Sequence, residues 1–183
     1  MTARQQWTVV GVAIGILALA ALALLHWNSD ELFLVGLGSK APDFRALSVD
    51  GNRRTERLDQ YRGSVVLLNV WATWCAPCVV EMPAIQRLYH DLGPQGLKVI
   101  AVSIDTEATD SAVRAFASKR GLTFTILRDS SNRITEQYQT TGVPETFVIG
   151  RDGVIRKKVI GASDWDSQGD RALVTQLLRE PAP

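Results

Sequence analysis

An almost unbroken apolar run, Ser64-Val65-Val66-Leu67-Leu68-Asn69-Val70, leads directly into Trp74-Cys75-Ala76-Pro77-Cys78, and the residues that follow change to helical spacing. A short β-rich run without polar alternation reads as a central strand covered on both faces. After the cysteines, Val79, Val80, Met82, Ile85, Leu88, Tyr89 and Leu92 recur at spacings of three and four, which predicts a helix over 77–92. Pro77 then lies in the first turn, where proline is tolerated, and Gly93-Pro94 stops the helix. The two cysteines therefore sit where a buried strand hands the chain to a helix.

Residues 97–104 read as a second buried strand and 109–120 as a second helix ended by Gly121, so strand, helix, strand, helix follow in the order of a parallel, right-handed βαβ unit. The later part differs. Residues 122–127 read as a strand and 133–139 as a short helix. Residues 146–149 and 154–159 read as strands separated by the turn signal Arg151-Asp152-Gly153, and 172–179 as a closing helix. Near the start, 44–47 and 54–58 flank Val49-Asp50-Gly51-Asn52, which predicts a preceding hairpin. The sum is an α/β domain: a mixed central sheet with helices on both faces.

The stretch 7–27 has a tryptophan at each end, and 9–25 within it contains only Val, Ala, Ile, Leu and Gly. As a helix it is long enough to span a bilayer. The flanking tryptophans fit the interfacial aromatic belt, Arg4 lies on one side, and Asp30 and Glu31 lie beyond the other, which places the N-terminus in the cytoplasm. A cleaved signal peptide competes, because Ala18-Leu19-Ala20 and Ala21-Leu22-Ala23 match the small-x-small cleavage pattern. Those sites fall inside the apolar run rather than after it, so an uncleaved anchor is the preferred reading. The expected organisation is a cytoplasmic N-terminus over 1–6, a transmembrane anchor over 7–27, a tether over 28–39 and one compact domain over 40–183. With 20 basic and 19 acidic residues the chain gives no reason to expect nucleic acid as a partner. Arg156-Lys157-Lys158 reads as a solvated strand face.

Cys75 and Cys78 are the only cysteines. A bridge closing so small a loop removes little chain entropy and makes a poor staple. A zinc site needs three or four ligands, and the only histidines, His26 and His90, lie far from the motif, so no metal is expected. What remains is a redox pair, Cys75-Cys78, whose small disulfide ring exchanges with another protein's disulfide. A cysteine just before a helix meets unpaired N–H groups and the positive end of the helix dipole, which lowers a thiol pKa, so Cys75 is the expected attacking thiol. Cys78, about one turn in, is the expected resolving thiol, and it must lose a proton in a buried setting. Glu81, three residues further on the same helix side, could take that proton. An acid early in a helix also simply complements the dipole, and spacing leaves both readings of Glu81 open. By itself, Gly142-Val143-Pro144-Glu145-Thr146 is a turn before a strand.

Taken together, these residues resemble the membrane-anchored thioredoxin-like thiol-disulfide oxidoreductases of the TlpA/ResA type, with the cytochrome c maturation thioredoxins (CcmG/DsbE) as close relatives. The resemblance runs from Ala41-Pro42-Asp43-Phe44 through Leu58-Asp59-Gln60-Tyr61-Arg62-Gly63 and the strand with its cysteines, to Gly142-Val143-Pro144-Glu145-Thr146-Phe147-Val148-Ile149 and Asp152-Gly153. It implies a thioredoxin fold with an N-terminal β-hairpin extension, behind a single transmembrane helix. It implies a cis Val143-Pro144 bond against the disulfide, where an extended substrate segment pairs with the backbone. It favours Glu81 as an active-site acid, adds Glu145 as a second candidate, and sets Trp74, beside Trp71, as a shield over one side of the thiols. One departure from cytoplasmic thioredoxin stands out: Asn69 replaces a buried, proton-accepting aspartate, so a different base is needed, and Glu81 is the available one.

The function expected from this resemblance is reduction of client disulfides on the outer, periplasmic face of the cytoplasmic membrane, without a cofactor. A membrane thiol transporter would supply electrons, and the client would be an apocytochrome c haem-site Cys-x-x-Cys or a copper-assembly protein. Ala76-Pro77 lacks the histidine of strongly oxidising relatives, which agrees with reduction. Two alternatives carry less. A peroxiredoxin-like peroxide reductase places threonine three residues before its cysteine, whereas Thr73 is two before Cys75, and a copper-binding chaperone of similar fold pairs its cysteines with a late histidine, whereas none follows His90.

Overall fold

The structure, a computed structural model, describes residues 3–27, 35–106 and 108–182, and within the first helix the side chains of 5, 7 and 11–23. The chain divides into two units, Met1–Leu34 and Val35–Pro183. The first contains α1 (Ala3–Trp27), 25 residues long. Among the described residues no helix is long and apolar enough to cross a membrane. The anchor expected over 7–27 extends past the described side chains, and most of the expected tether, 28–34, lies outside the described residues.

The second unit is built on one seven-stranded sheet. Its strands are β1 (Arg45–Ser48), β2 (Thr55–Arg57), β3 (Val65–Trp71), β4 (Leu97–Ser103), β5 (Thr125–Arg128), β6 (Glu145–Ile149) and β7 (Ile155–Ile160), in the spatial order β2-β1-β5-β4-β3-β6-β7. β3 runs parallel to β4, and β4 to β5, whereas β1, β2, β6 and β7 join antiparallel. The helices are α2 (Ala76–Leu92), α3 (Asp110–Lys119), α4 (Arg133–Gln137) and α5 (Gln168–Arg179). This is the thioredoxin-like mixed sheet with a hairpin, β1–β2, added at its N-terminal end.

Every residue of β3 is buried, as its continuous apolar run predicts. Strand alternation splits that run between two cores. Val65, Leu67 and Trp71 face a cluster with Met82, Ile85 and Leu88 of α2, Val113 of α3 and Val174 of α5, while Val66, Leu68 and Val70 face Phe44, Ile134, Tyr138 and Phe147. Asn69 falls in the first row, the only polar side chain among its neighbours in β3. The second core is closed by Tyr138, whose hydroxyl donates to Pro42 O at 2.7 Å.

Three elements differ from expectation by more than one residue at an end. The strand expected over 122–127 begins only at Thr125. Before it, the Gln86 side chain of α2 holds Thr123, accepting from its N–H at 2.9 Å and donating to Oγ1 at 2.8 Å, so that backbone group is spent on a helix and not on a ladder. The helix expected over 133–139 stops at Gln137, and Gln139 takes a positive φ of 49°. The closing helix starts a turn earlier than 172, because Ser167 caps it by accepting the Asp170 N–H. α5 is tied to α2 by Arg171, which pairs with Asp91 at 2.7 Å and Asp166 at 2.5 Å, and by Arg87, which reaches Asp166 at 2.6 Å.

Leu68 is fully buried on the central strand. Truncation to alanine leaves a cavity between β3 and Phe147, and Leu68→Ala is expected to destabilise the domain by about 2–5 kcal/mol, read as a lowered urea midpoint at unchanged slope.

Candidate active site

Cys75 stands at the N-cap of α2 in extended conformation (φ −84°, ψ 100°), with Pro77 in the first turn. Its Sγ accepts the Cys78 N–H at 3.2 Å, and its own N–H donates to Ala72 O at 3.2 Å. The two sulfurs are joined in a disulfide with Cα atoms 5.3 Å apart. In this state both are covered: Cys75 is 4 % exposed and Cys78 0 %. The strand-to-helix junction thus presents Cys75 to the free N–H groups of the first turn, where a thiolate is stabilised.

Glu81 lies on the sheet side of α2 and is 3 % exposed. Its Oε1 accepts from Asn69 Nδ2 at 2.8 Å, and its Oε2 from the Ser163 N–H at 3.1 Å and the Trp165 indole at 3.3 Å. Among the described residues no cation contacts it. Desolvation is the dominant influence and pushes the Glu81 carboxyl above its usual 4.5, while the bonds from Ser163, Asn69 and Trp165 pull the other way and only moderate the rise. Asn69 Nδ2 also donates to Thr146 Oγ1 at 2.8 Å, so one amide links α2, β3 and β6, and its Oδ1 is buried without a partner. None of the Glu81 hydrogen bonds goes to a sulfur. The group is a buried acid one helical turn from Cys78, able to hold a proton at a pH where an exposed glutamate could not.

The Val143-Pro144 bond is cis. Pro144 is buried and its carbonyl accepts the Gly161 N–H at 2.8 Å, while Val143 packs on the cluster that contains both cysteines. Among the described residues no hydrogen bond engages the Val143 backbone. Trp74 is 68 % exposed and lines a shallow hollow with Ile104, Thr140, Thr141 and Val143. Trp71, by contrast, is fully buried against Phe116.

Glu145 is fully buried and differs from Glu81 in having a cation beside it. Lys158 Nζ lies 2.9 Å from Oε1, off the hydrogen-bonding angle, and Oε2 accepts the Thr141 N–H at 3.0 Å. This corrects the solvated face expected for Arg156-Lys157-Lys158. Arg156 pairs with Asp152 at 2.7 Å, Lys157 with Asp170 beside the Trp165 ring, and Lys158 with Glu145 above Phe147. The Arg156 head stays local, in the turn before β7, whereas those of Lys157 and Lys158 are used by carboxylates on α5 and β6, so their stems lie over the sheet. His90 is exposed and pairs with Asp91, 2.9 Å away.

Three contributors escaped the sequence reading. Ser163 and Trp165 reach Glu81 from the β7–α5 loop, and the one signal was a tryptophan set among Ser163, Asp164 and Asp166 in a segment with no periodicity. Asp105, just past β4, is 3 % exposed and accepts from Thr73 N at 3.0 Å and Thr73 Oγ1 at 2.7 Å. The Thr73 hydroxyl is therefore directed to Asp105.

Comparison with known proteins agrees with this geometry. Residues 37–158 match the model of the AhpC/TSA family. The thiol-disulfide oxidoreductase ResA of Geobacillus thermodenitrificans is 37% identical over 160 residues, covering 86% of this chain and 90% of that protein. The thioredoxin-like protein YneN of Bacillus subtilis is 36% identical over 153 residues, covering 80% and 88%. A crystal structure from Chlorobium tepidum, assigned as a thiol:disulfide interchange protein DsbE, superposes with a TM-score of 0.70 at 26% identity, covering 79% of this chain and 99% of that one. The chain belongs to the thioredoxin-like AhpC/TSA family, among its thiol-disulfide oxidoreductases.

Because the folded-state pKa of Glu81 is raised, the folded protein holds that proton more tightly than the unfolded chain does. The associated stability is full below the usual 4.5 and is lost as pH rises through the folded value. Denaturant titrations of the oxidised protein are expected to show stability falling across that window relative to Glu81→Gln. Equal slopes for the two proteins would contradict it.

Proposed function

We propose that this oxidoreductase delivers two electrons from the Cys75/Cys78 dithiol to disulfides of client proteins on the outer face of the cytoplasmic membrane. The Cys75 thiolate attacks one sulfur of the client disulfide, forming a mixed disulfide and releasing the client's other sulfur as a thiolate. Cys78 then gives up its proton, attacks Cys75 Sγ, and closes the intramolecular disulfide while the client leaves with its second sulfur reduced. The client gains two electrons and the dithiol loses two, ending in the disulfide form described above.

The observation that carries this reading is Glu81: a buried acid with a raised pKa, on the same helix as Cys78 and one turn beyond it. A carboxylate in that setting accepts the Cys78 proton, directly or through a water, as the thiolate forms. Beside it, the unengaged Val143 backbone next to cis Pro144 offers an extended client segment a partner in β fashion, with Trp74 alongside. Glu145, already neutralised by Lys158, is assigned a structural part. The Thr73 hydroxyl, committed to Asp105, speaks against peroxide reduction.

The anchor, the direction and the client rest on the sequence and its family resemblance. The stretch 7–27, apolar throughout 9–25, is long enough in sequence to span a bilayer as a helix. Reduction follows from the resemblance to ResA and to the cytochrome c maturation thioredoxins, with a membrane thiol transporter as donor. An apocytochrome c haem-site pair or a copper-assembly protein is the client.

Equilibration against a graded glutathione redox series is expected to give a potential on the reducing side, and a value near that of the strong oxidants, about −120 mV, would overturn the direction. Cys78→Ser is expected to stall the mixed disulfide on Cys75 and allow the client to be identified by mass spectrometry. Glu81→Gln is expected to slow resolution about 10²-fold with little change in the first attack, and unchanged Cys78 reactivity would refute the assignment. Recovery of the mature protein as a soluble species about twenty residues shorter would remove the anchor.

A further inference from the structure

The loop between β3 and the nucleophile is held by a single buried carboxylate on the neighbouring strand. β3 and β4 pair in parallel register to their ends, with Trp71 opposite Ser103, and the Ile104 N–H donates to Trp71 O at 2.9 Å. Asp105 comes next and lies beside Thr73, two residues before Cys75. Its Oδ2 accepts the Thr73 N–H at 3.0 Å and the Ser103 hydroxyl at 2.5 Å, and its Oδ1 accepts the Thr73 hydroxyl at 2.7 Å. Its own N–H donates to Ser103 Oγ at 3.1 Å, and its carbonyl accepts from Arg128 Nη1 at 3.3 Å. Arg128 is in turn fixed by Asp110, the first residue of α3, at 2.6 Å.

Among the described residues no cation touches the Asp105 carboxylate. All its described hydrogen bonds come from Thr73 and Ser103, and those with Thr73 hold the loop that leads to Cys75. A buried carboxylate without a counter-ion is unfavourable unless its hydrogen bonds are all made, so the site holds Thr73 in one position. From Thr73 the chain reaches Cys75 with its N–H on Ala72 O and its backbone extended, the geometry in which Sγ faces the first-turn N–H of Cys78.

We propose that Asp105 is a positioning residue for Cys75: by clamping Thr73 it keeps the sulfur over the N-terminus of α2, where the thiolate is stabilised. This rests on the reading of Cys75 as the attacking thiol. Two influences of Asp105 on that thiolate have opposite sign. Its negative charge raises the Cys75 pKa, and its clamp lowers it by holding the sulfur against the helix N–H groups. The clamp dominates because the carboxylate acts on the sulfur only across the intervening loop, whereas the helix N–H donation is direct.

The sign separates the two by substitution. Asp105→Ala removes charge and clamp together, whereas Asp105→Asn removes the charge and retains an acceptor for Thr73. The measurement is the pH dependence of iodoacetamide alkylation of the reduced full-length protein, with the modified cysteine identified by peptide mass spectrometry. Asp105→Ala is expected to move the Cys75 midpoint upward by about one pH unit, with an approximately tenfold slower reaction below it. Asp105→Asn is expected to leave the midpoint unchanged or lower. Thr73→Val, which keeps the carboxylate and loses only the hydroxyl donor, is expected to give an intermediate upward shift. It serves as the test if the alanine variant does not fold.

An unshifted midpoint in folded Asp105→Ala, or an asparagine variant shifted as far as alanine, would overturn the clamp. If Thr73→Val is the only variant to fold, an unshifted midpoint there overturns it as well. Preferential alkylation of Cys78 in the wild type would instead overturn the assignment of Cys75 as nucleophile, which keeps the two failures distinct.

Discussion

The Glu81 carboxylate, buried between helix and sheet, is the constraint around which the rest of the domain is arranged. It sits in a row of α2 and β3 that is apolar apart from Asn69, and among the described residues no cation offsets its burial. Such a group is tolerated only when its lone pairs are used, and the domain supplies three donors from two separate places: Asn69 on the central strand, and the Ser163 N–H and Trp165 indole on the loop before α5. That loop is ordered by Glu81 as much as Glu81 is held by it. Trp165 is brought fully inside, and α5 follows directly and docks on α2 through Arg171, Asp91 and Asp166. Apolar residues at these positions would pack more cheaply, but no titratable group would then stand a turn from Cys78.

Sheet register does the remaining work of assembly. Pairing β3 with β6 places Thr146 opposite Asn69, which brings the cis Pro144 segment to the same end of the sheet as the cysteines. Pairing β3 with β4 places Ser103 opposite Trp71, so Asp105 emerges beside Thr73. The site groups from residues 73 to 165 thus converge because β3, β4 and β7 end at one edge of the sheet and the antiparallel β6 begins there. Trp74 is exposed at that edge, while Glu81 and Asn69 lie buried beneath it.

The readings that succeeded and those that did not differ in the range of the interactions behind them. The strand into Cys75, the helix after it and the turn at Asp152-Gly153 are set by neighbours within a few residues, and their patterns are visible as periodicity or turn chemistry. Residues 122–124 look like strand by composition, yet Gln86, 37 residues away in sequence, takes the Thr123 backbone. Arg156-Lys157-Lys158 looks like a solvated face because charge alone is visible, yet Lys157 and Lys158 have carboxylates waiting on α5 and β6. Trp165 carried no periodic signal, because its burial is decided by one distant acid.

By itself, the order of residues determined the class of chemistry and the place of the cysteine pair. A lone Cys-x-x-Cys between a buried strand and a helix can be little other than an exchanging dithiol, since chain entropy and ligand number exclude a staple and a zinc site. Glu81 could be named from its helical spacing, but spacing could not separate a buried acid from one that merely greets the helix dipole. Tertiary structure decided that question, and it decided the parts of Asn69, Trp165, Lys158 and Asp105 as well. The physical reason is that desolvation, the influence that sets a buried carboxyl's pKa, depends on everything packed around it, and no local pattern of residues records that surrounding.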